Sequence, residues 1–549
     1  MNTIEAISNA LYDYLNTTFA IPAEILPQVL VTLNTDEDKQ QFGDLSTNAA
    51  LVLAKTLGKS PRAIAEQIKK EFSHPDIDSL EIAGPGFINL FITQAALQTL
   101  VAELMENGEQ FFKPTDIKPV HYSVEFVSAN PTGPLHLGHG RGGIIGDVLG
   151  NVLRFCRNTV TKEFYINDAG SQIKKLGNSF KLRCRQALGQ DVTLPEDAYH
   201  GTYLTDLAQQ LVDREGEDIL KKPDSFFSDY AKNALLQNIR DTLLAYGIEY
   251  NVWFSEKSLY EQNLVAPAIE TLTKRGYTFA ADGALWFKST AFGDDKDRVL
   301  IRSNGEYTYI ASDVAYLLDK IGRGAEHLIF VLGQDHHSYV IRLKAIMQAL
   351  GYDPTMLDVI LYQLVTIKES GELVRMSKRA GHIVSLDDII KTVGKDVARF
   401  FYLHRKADAH LDFDLDLALK HTEENPVYYI QYAYVRTGSM LAKAQKFPEL
   451  ENLTNADIKG IGPEEKLIVK KIVSLKELIA NISSNYQIHL LTYYAIELAH
   501  TFHRYYAENR VIDVADVTKS RARLIVIKQL RMTFETLFTL LELSMPEQM

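Results

Sequence analysis

From about residue 120 to 385 the chain alternates short β-rich runs with helical patterns, and this alternation limits the possible folds more than any other feature. Strands that alternate with helices favour a parallel, doubly wound sheet, which binds ligands at the carboxyl ends of its strands. The candidate strands are HYSVEFV, TKEFYI, GALWFK, HLIFVLG and DVILYQLV, and the helical patterns include LGNVLRF, SDVAYLLDKI and YVIRLKAIMQAL. A mostly helical insertion over about 173–250 interrupts the alternation.

The flanking segments predict two further domains, as expected for a chain of 549 residues. In the first segment an amphipathic helix opens the chain, Ser60 and Pro61 stand at the cap and first position of another helix, and GPGFINLFI is typical of a strand entered through a glycine turn. SLDD at 385–388 is a capping-box pattern, after which helical patterns follow one another without strand signals. The prediction is a small N-terminal α/β domain over 1–116, a sheet domain over 117–385 and a C-terminal helical bundle over 386–549.

Composition excludes several classes of protein. Cys156 and Cys184 are the only cysteines, too few for a disulfide framework and without the CxxC spacing of a structural zinc site. The chain does not open with a basic segment followed by an apolar one, and no apolar run approaches the about 18 residues needed to cross a bilayer. We therefore expect a cytoplasmic protein with no membrane partner.

The formal charge of −12 argues against indiscriminate binding of polyanions, because counterion release rewards clustered Lys and Arg. Residues 501–531 depart from this balance, with seven Lys or Arg against three acids. Arg521 and Lys528, seven residues apart, would share one helix face. This stretch is either a local basic face for a polyanion or an ordinary solvated helix surface, and the sequence leaves both interpretations open.

The stretch FVSANPTGPLHLGHGRG at 126–142 holds two histidines, two prolines and four glycines, which packing alone does not explain. It lies between a predicted strand and apolar residues at helical spacing, so the histidines fall at a strand-to-helix turn. There the helix dipole favours phosphate, Gly138 leaves room for a flat base, and His136 and His139 can face the same polyphosphate. One alternative is a pair of histidines that only satisfy the turn. Another is a zinc ion shared with His336 and His337, which the glycine-flanked turn and the lack of an HExxH motif disfavour.

A second candidate element is VRMSKRAG at 374–381. It carries Arg375, Lys378 and Arg379 between the last candidate strand and the helix capped by Ser385. A cationic loop can neutralise the charge that develops on a transferring phosphoryl group. A solvated basic turn is the alternative.

Together, HLGH after a strand and MSK about 240 residues later resemble the two signatures of class I aminoacyl-tRNA synthetases, written HIGH and KMSKS. The wider context resembles an arginyl-tRNA synthetase of bacterial type: SANPTGPLHLGHGRG, FYINDAGSQ, GDDKDRVLIRSNGEYTYIASDVAY and GQDHHSY in the centre, GDLSTNAA and GPGFIN before it. The likeness covers essentially the whole chain. It implies a Rossmann-like catalytic domain, an N-terminal domain that touches the tRNA elbow and a helical domain that binds the anticodon loop.

The resemblance also implies site residues, position by position. The implied arginine contacts are Glu125, Ser128, Asn130, Tyr309, Asp313 and Gln334, with Tyr309, Asp313 and Gln334 at the guanidinium and Glu125 and Asn130 at the α-amino and carboxylate end. The implied ATP contacts are Pro134, His136, Gly138, His139, Gly140, Met376, Ser377 and Lys378, with His136, His139 and Lys378 as catalytic residues. The implied tRNA contacts are Phe87, Asn89, Arg436, Arg521 and Lys528. A guanidinium is always charged and presents a fork of donors, so acidic and planar partners suit it.

One departure from the family pattern concerns the cations. The second signature begins with Arg375 instead of the usual lysine, while Lys378 keeps the second-lysine position. Some arginyl enzymes lack that second lysine and carry a lysine just before the first signature, where Gly133 and Pro134 stand here. The site therefore keeps one such cation.

The implied reaction joins L-arginine to its tRNA at the expense of ATP, with Mg²⁺ accompanying the nucleotide and no metal held by the protein alone. The arginine carboxylate attacks the α-phosphorus and releases pyrophosphate, and a terminal ribose hydroxyl of the tRNA then displaces AMP. No covalent enzyme intermediate is required, so positioning and charge stabilisation must supply the acceleration. We expect a monomer.

Two other functions stay open from the sequence. A synthetase for another amino acid is one, although a cysteinyl enzyme needs a zinc site that two cysteines do not provide, and glutamate-type enzymes need cations where Asp313 stands. A tRNA-binding paralogue without activity is the other, against which His136, His139 and Lys378 argue.

Overall fold

The computed structural model describes residues 2–115, 118–374 and 385–549. The chain divides into two compact units. One contains residues 1–117, 421–486 and 490–549, and the other contains residues 118–420 and 487–489. The N-terminal segment and the C-terminal helices thus belong to the same unit. The three domains and their boundaries remain a prediction.

The N-terminal segment of the first unit folds as a small α/β layer. Its helices are α1 (Thr3–Phe19), α2 (Ala49–Leu57), α3 (Pro61–Glu71) and α4 (Gln94–Asn107), and its strands are β1 (Val31–Leu33), β2 (Leu45–Thr47), β3 (Ile77–Ala83) and β4 (Phe87–Ile92). The strands are antiparallel in the order β1-β2-β4-β3. As predicted, Ser60 caps α3 by accepting from the amide of Ala63, and Pro61 is its first residue.

The second unit is built on the predicted parallel sheet. Its first half contains β5 (His121–Phe126), α5 (Leu137–Phe155), β6 (Thr159–Ile166), α6 (Ser171–Ala187), α7 (Thr202–Glu215), α8 (Asp224–Ala245), β7 (Val252–Ser255), α9 (Glu256–Glu261) and α10 (Val265–Lys274). The predicted helical insertion corresponds to α6, α7 and α8, which pack on one another around their own apolar core.

The second half of this unit completes the sheet and adds two small ones. It contains β8 (Thr278–Ala281), β9 (Ala284–Phe287), β10 (Arg298–Ile301), α11 (Tyr309–Gly322), β11 (His327–Gly333), α12 (His337–Leu350), β12 (Leu357–Tyr362), β13 (Val365–Glu369), β14 (Glu372–Val374), α13 (Leu386–Val393), α14 (Lys395–Leu403), β15 (Leu411–Asp414) and α15 (Leu415–Ala418). The main sheet has the order β12-β11-β5-β6-β7 with every pair parallel. This order confirms the doubly wound fold.

The C-terminal part of the first unit is helical, as predicted. Its long helices are α16 (Pro426–Ala444), α17 (Lys466–Asn485), α18 (Leu490–Glu508) and α19 (Val517–Leu541). The N-terminal segment is fixed to this bundle by a buried carboxylate: Asp44 of GDLSTNAA accepts from the amide of Ile92 and pairs with Lys466 and Lys470 at 2.5 and 2.9 Å.

Two strand predictions need correction, and one strand of the main sheet was not predicted. GALWFK does form β9, but it pairs with β8 and β10 in a separate antiparallel sheet and not in the parallel one. The edge strand β7 was not predicted, because its four residues are too few to show a pattern. The statement that strand signals end at 385 is wrong, since β15 pairs in parallel with β13.

Helix α5, which follows the first signature, is almost entirely buried. Its glycines let neighbouring side chains approach the helix: a Cβ at Gly146 would overlap the ring of Phe126, and one at Gly142 would overlap the ring of Tyr362. Buried ion pairs also hold α5: its Asp147 pairs with Lys162 of β6 and Arg399 of α14, each at 2.6 Å. The glycines of this stretch therefore serve helix packing as well as the turn.

We predict that Gly146→Ala lowers the stability of the protein by about 1–3 kcal/mol or more, because the added methyl group has no space beside Phe126. Gly322→Ala is the matched control. It lies at the end of helix α11, where a Cβ would have no heavy atom within 4 Å, so it should be neutral or slightly stabilising. Thermal unfolding of the two variants beside the parent measures the difference, and equal melting temperatures would contradict the packing argument.

Candidate active site

Four neighbouring strands of the parallel sheet end at the same edge, and each is followed by chemically active residues. Strand β5 carries Glu125 and leads to the histidines, β11 leads to Gln334, β6 leads to Asp168, and β7 leads directly to Glu256. Because the strands are parallel and adjacent, their carboxyl ends collect these groups at one place. This edge is the candidate active site.

The two histidines of HLGH form the start of helix α5. His136 is the N-cap, and its Nδ1 accepts from the amide of Gly138 at 3.1 Å, while Nδ1 of His139 accepts from the amide of His136 at 3.1 Å. The rings stack with centroids 3.7 Å apart. An Nδ1 that accepts a hydrogen bond leaves the neutral ring protonated on Nε2, the form that can donate to a phosphate oxygen. A Cβ at Gly138 would lie 3.1 Å from the ring of His136, so glycine lets this ring lie over the turn.

The residue at which the described chain resumes after the second signature, Ser385, is joined to the first signature. Ser385, which caps α13 in the predicted capping box, forms a β-bridge with His136, and the amide of Leu386 donates to the carbonyl of Leu135 at 2.9 Å. Residues 375–384, which include Arg375, Met376, Ser377, Lys378 and Arg379, lie outside the described residues. The bridge nevertheless places the residue that follows them beside the histidine turn.

The backbone between β5 and the histidines is strained. Val127 and Ser128 have φ of +65° and +41°, a region that a β-branched valine rarely adopts. Two hydrogen bonds fix the turn: the Ser128 hydroxyl donates to Glu125 at 3.1 Å, and it accepts from the amide of Tyr165 at 3.1 Å. Ser128, predicted as an arginine contact, thus also joins strands β5 and β6 at the site.

Two partly or wholly buried carboxyl groups lie at this edge without a salt-bridge partner among the described residues: Asp313 on α11 and Glu256 at the start of α9. Burial raises the pKa of Asp313 to about 7, and the nearby Glu256 and Glu125 carboxylates add to the rise. A hydrogen bond from the Tyr339 hydroxyl at 2.6 Å and the charge of Arg342 lower the pKa in part.

Glu256 has the same character. Burial raises its pKa to about 7, and the charge of Asp168 raises it further, against the effect of hydrogen bonds with Ser312 and Tyr165. We call Glu125, Glu256 and Asp313 the acidic cluster. A cation placed beside Glu256 and Asp313 would favour their ionised forms, so the cluster is electrostatically suited to a positively charged ligand.

The other predicted arginine contacts lie on the segments that border this cluster. Asn130 is exposed and donates to Gln172 at 3.1 Å, Tyr309 is the first residue of α11 and 70% exposed, and Gln334 is exposed just after β11. Pro134 is exposed in the turn before His136, and Gly140 lies against Leu386 and Tyr402.

Sequence reasoning missed three groups at this site: Glu256, Tyr165 and Tyr339. The signal for Glu256 was its position directly after a strand, which could not be used because β7 itself was missed. Tyr165 and Tyr339 stand in FYINDAG and HHSY, stretches that carried the resemblance but to which no role was assigned.

The predicted tRNA contacts fall into different surroundings. Arg436 on α16 lies over the rings of Tyr432 and Tyr506, at 5.1 and 4.4 Å from their centroids. Phe87 is 44% exposed on β4, Asn89 is buried on the same strand, and Lys528 is exposed on α19.

Arg521 is held within the bundle. All five of its N–H donors are engaged: two with Asp457 and three with the carbonyls of Glu449, Glu451 and Asn452. This geometry favours a structural role for Arg521 over the predicted tRNA contact. Much of the basic stretch at 501–531 is likewise paired with acids: Arg504 with Glu37, Lys519 with Glu464, Arg523 with Glu465 and Arg531 with Glu535.

The described residues contain neither a metal-binding cluster nor a membrane-spanning helix. No group of three or more His, Cys, Asp or Glu side chains there could hold a metal ion. In the same residues no helix is long and apolar enough to cross a membrane. Both cysteines are buried as free thiols, and burial raises the pKa of Cys184 to about 12.

Comparison with known proteins agrees with this geometry. Three family models match: the arginyl tRNA synthetase N-terminal domain over residues 3–92, the catalytic domain of class I tRNA synthetases (R) over 100–403, and the DALR anticodon binding domain over 430–549. An arginine–tRNA ligase of Geobacillus thermodenitrificans is 41% identical over 537 residues, which cover 96% of each chain. The chain belongs to the arginine–tRNA ligase family.

Further relatives in the arginine–tRNA ligase family agree. A member from Bacillus licheniformis is 43% identical over 526 residues, which cover 94% of each chain. The solved arginyl-tRNA synthetase of Thermus thermophilus superposes over the full length of both chains with a TM-score of 0.77 at 21% identity, which supports the fold.

We predict that arginine binds more tightly as the pH rises through 7. With a pKa of about 7, Asp313 and Glu256 are mostly protonated at about pH 6 and mostly ionised at about pH 8, so the affinity for a cation should rise about tenfold over this interval. The stability of the free protein should change in the opposite direction, because acids with a raised folded pKa weaken folding as the pH rises toward that value.

The rise in melting temperature that arginine causes, measured at both pH values, tests this prediction. L-Citrulline, which carries a neutral ureido group in place of guanidinium, is the control and should show no such pH dependence. An arginine effect that is the same at both pH values would contradict the assignment of uncompensated carboxyls to this site.

Proposed function

We propose that this protein ligates L-arginine to its tRNA through an arginyl-adenylate, consuming ATP and releasing AMP and pyrophosphate. The proposal rests above all on the acidic cluster beside the histidine-capped start of α5, at the edge where a doubly wound sheet binds ligands. Membership of the arginine–tRNA ligase family supports it over nearly the full length of the chain.

In the proposed complex the guanidinium lies among Asp313, Tyr309 and Gln334, and the α-amino and carboxylate end lies toward Glu125, Ser128 and Asn130. Asp313 would select a positively charged side chain, because a cation strongly stabilises the ionised form of a buried carboxyl group that has no salt bridge. A neutral side chain of the same shape would leave this carboxyl protonated and the fork of hydrogen bonds unmade, so it should bind poorly.

ATP would lie over the turn at 134–140. The helix N-terminus and the Nε2–H groups of His136 and His139 suit its phosphates, and Gly138 offers a surface without a side chain to the base. Mg²⁺, bound to the ATP phosphates, would neutralise part of their charge. Lys378 would approach the phosphates from the second signature, which precedes Ser385, the residue bridged to His136.

For tRNA we propose contacts on both parts of the first unit. The exposed Phe87, with Asn89 on the same strand, would meet the elbow, and Arg436 with its two tyrosines would meet the anticodon loop, where unstacked bases pack on aromatic rings and guanidinium planes. Lys528 would contact a phosphate. We further propose a cytoplasmic monomer, which sedimentation analysis of the purified protein would test.

Exchange of pyrophosphate into ATP, assayed with each of the twenty amino acids with and without tRNA, tests the function. The expected result is exchange with arginine alone that depends on tRNA. Exchange with another amino acid, or no exchange when arginine and tRNA are both present, would overturn the proposal.

We expect Asp313→Asn and Lys378→Ala to affect different steps. Asp313→Asn should raise KM for arginine at least about a hundredfold, because a buried charge-assisted pair is lost. Lys378→Ala should lower the rate of adenylate formation with little effect on KM for arginine. An unchanged KM for arginine in Asp313→Asn would refute the assignment of Asp313 to the guanidinium.

The two arginines of the bundle should also differ. Arg436→Gln should raise KM for tRNA with little change in melting temperature, since its guanidinium lies over the exposed ring of Tyr432 and the half-buried ring of Tyr506. Arg521→Gln should lower the melting temperature and leave KM for tRNA nearly unchanged, because it loses hydrogen bonds that hold residues 449–457 on α19. If Arg521→Gln raised KM for tRNA and Arg436→Gln only lowered the melting temperature, both assignments would be wrong.

A further inference from the structure

Lys320 is a buried lysine that forms an ion pair with Glu125 of the proposed arginine site, and the proposed function gives it no role. It lies on α11, two turns after Asp313, with 1% of its surface exposed. Its Nζ donates to Ser123 Oγ at 3.2 Å and to Glu163 Oε1 at 3.1 Å, and it forms an ion pair with Glu125 Oε2 at 3.1 Å. The ammonium group is therefore surrounded by one hydroxyl and two carboxylates.

Tyr316, one turn before Lys320, lies between the same two carboxylates. Its hydroxyl is 2.6 Å from Glu125 Oε2 and 2.5 Å from Glu163 Oε1. A hydroxyl donates one hydrogen at a time, so Tyr316 alone cannot satisfy both groups. The lysine supplies the remaining donors.

The two carboxylates differ in how much they depend on Lys320. Glu163 has a second cation, because Arg323 donates to both of its oxygens at 2.7 and 3.0 Å, and its pKa is lowered to about 2 against the effect of burial. Glu125 has Lys320 as its salt-bridge partner among the described residues. Loss of Lys320 would thus leave Glu163 paired and Glu125 as a buried, unpaired charge.

We propose that Lys320 is a positioning residue for amino-acid binding, which acts by holding the Glu125 carboxylate in place so that it can receive the α-ammonium group of the substrate. Ser128 and Tyr316 donate to Glu125 and Lys320 forms an ion pair with it, so the carboxylate is fixed while lone-pair sites remain for the substrate. The inference rests on the proposed function, in which Glu125 takes the α-amino end.

The test compares Lys320→Met with Arg323→Met in the full-length protein. Both remove one cation from Glu163 on neighbouring turns, but only Lys320→Met removes the partner of Glu125. Lys320→Met should raise KM for arginine about tenfold, equivalent to about 1.4 kcal/mol, with KM for ATP within about threefold of the parent. Arg323→Met should leave both values within about threefold.

A further measurement separates positioning from general damage to the fold. Deamino-arginine, in which hydrogen replaces the α-amino group, should inhibit the parent and Lys320→Met equally, because it cannot contact Glu125. If Lys320→Met does not fold, Tyr316→Phe takes its place, and it should also raise KM for arginine while leaving inhibition by deamino-arginine unchanged.

The proposal is overturned if the folded Lys320→Met, or Tyr316→Phe in its place, keeps the parental KM for arginine. It is also overturned if Arg323→Met raises that KM equally, or if inhibition by deamino-arginine weakens to the same extent as arginine binding. These outcomes are distinct from failure of the proposed function, in which the parent protein itself would show no arginine-dependent exchange.

Discussion

The electrostatics of the site follow from two buried carboxyl groups that have no salt-bridge partner among the described residues. Burial disfavours the charged forms of Asp313 and Glu256 enough to raise each pKa to about 7, and the described residues supply no salt bridge to either group. Burying carboxyl groups in this way lowers the stability of the free protein, and a bound cation offsets the loss. Glu163 differs from these two groups, because Lys320 of α11 and Arg323, directly after that helix, pair with it. The protein thus supplies its own counter-ions to Glu163, whereas Asp313 and Glu256 have none in a salt bridge.

The rest of the second unit brings these groups to one place. Parallel pairing of β11, β5, β6 and β7 makes four strands end together, and the strained turn at Val127 and Ser128 directs the chain from Glu125 toward the histidines. Buried ion pairs at Asp147 and close glycine packing hold α5, so that its N-terminus is fixed where phosphates would lie. The charge of the site is thus set by side chains, and its shape by sheet topology.

Much of this was predictable from sequence, and the misses have physical causes. Long patterns such as HLIFVLG and SDVAYLLDKI gave β11 and α11, and the family resemblance gave Asp313 and the histidines. Strands β7 and β15 have four residues each, too few for periodicity to be visible, and missing β7 hid Glu256. The ion pair of Arg521 with Asp457 was not predicted, because Asp457 lies 64 residues away and a local charge pattern cannot reveal a distant acid. Lys320 was overlooked because a lysine in an amphipathic helix normally faces solvent.

If arginine binds by ionising carboxyl groups that are partly protonated in the free protein, its binding must release protons. Titration calorimetry with arginine near pH 7, in two buffers of different ionisation enthalpy, counts the protons released. We expect release of about one proton in total, since two carboxyls with a pKa of about 7 are each about half protonated there. Arginine binding with no proton release, or with proton uptake, would contradict it.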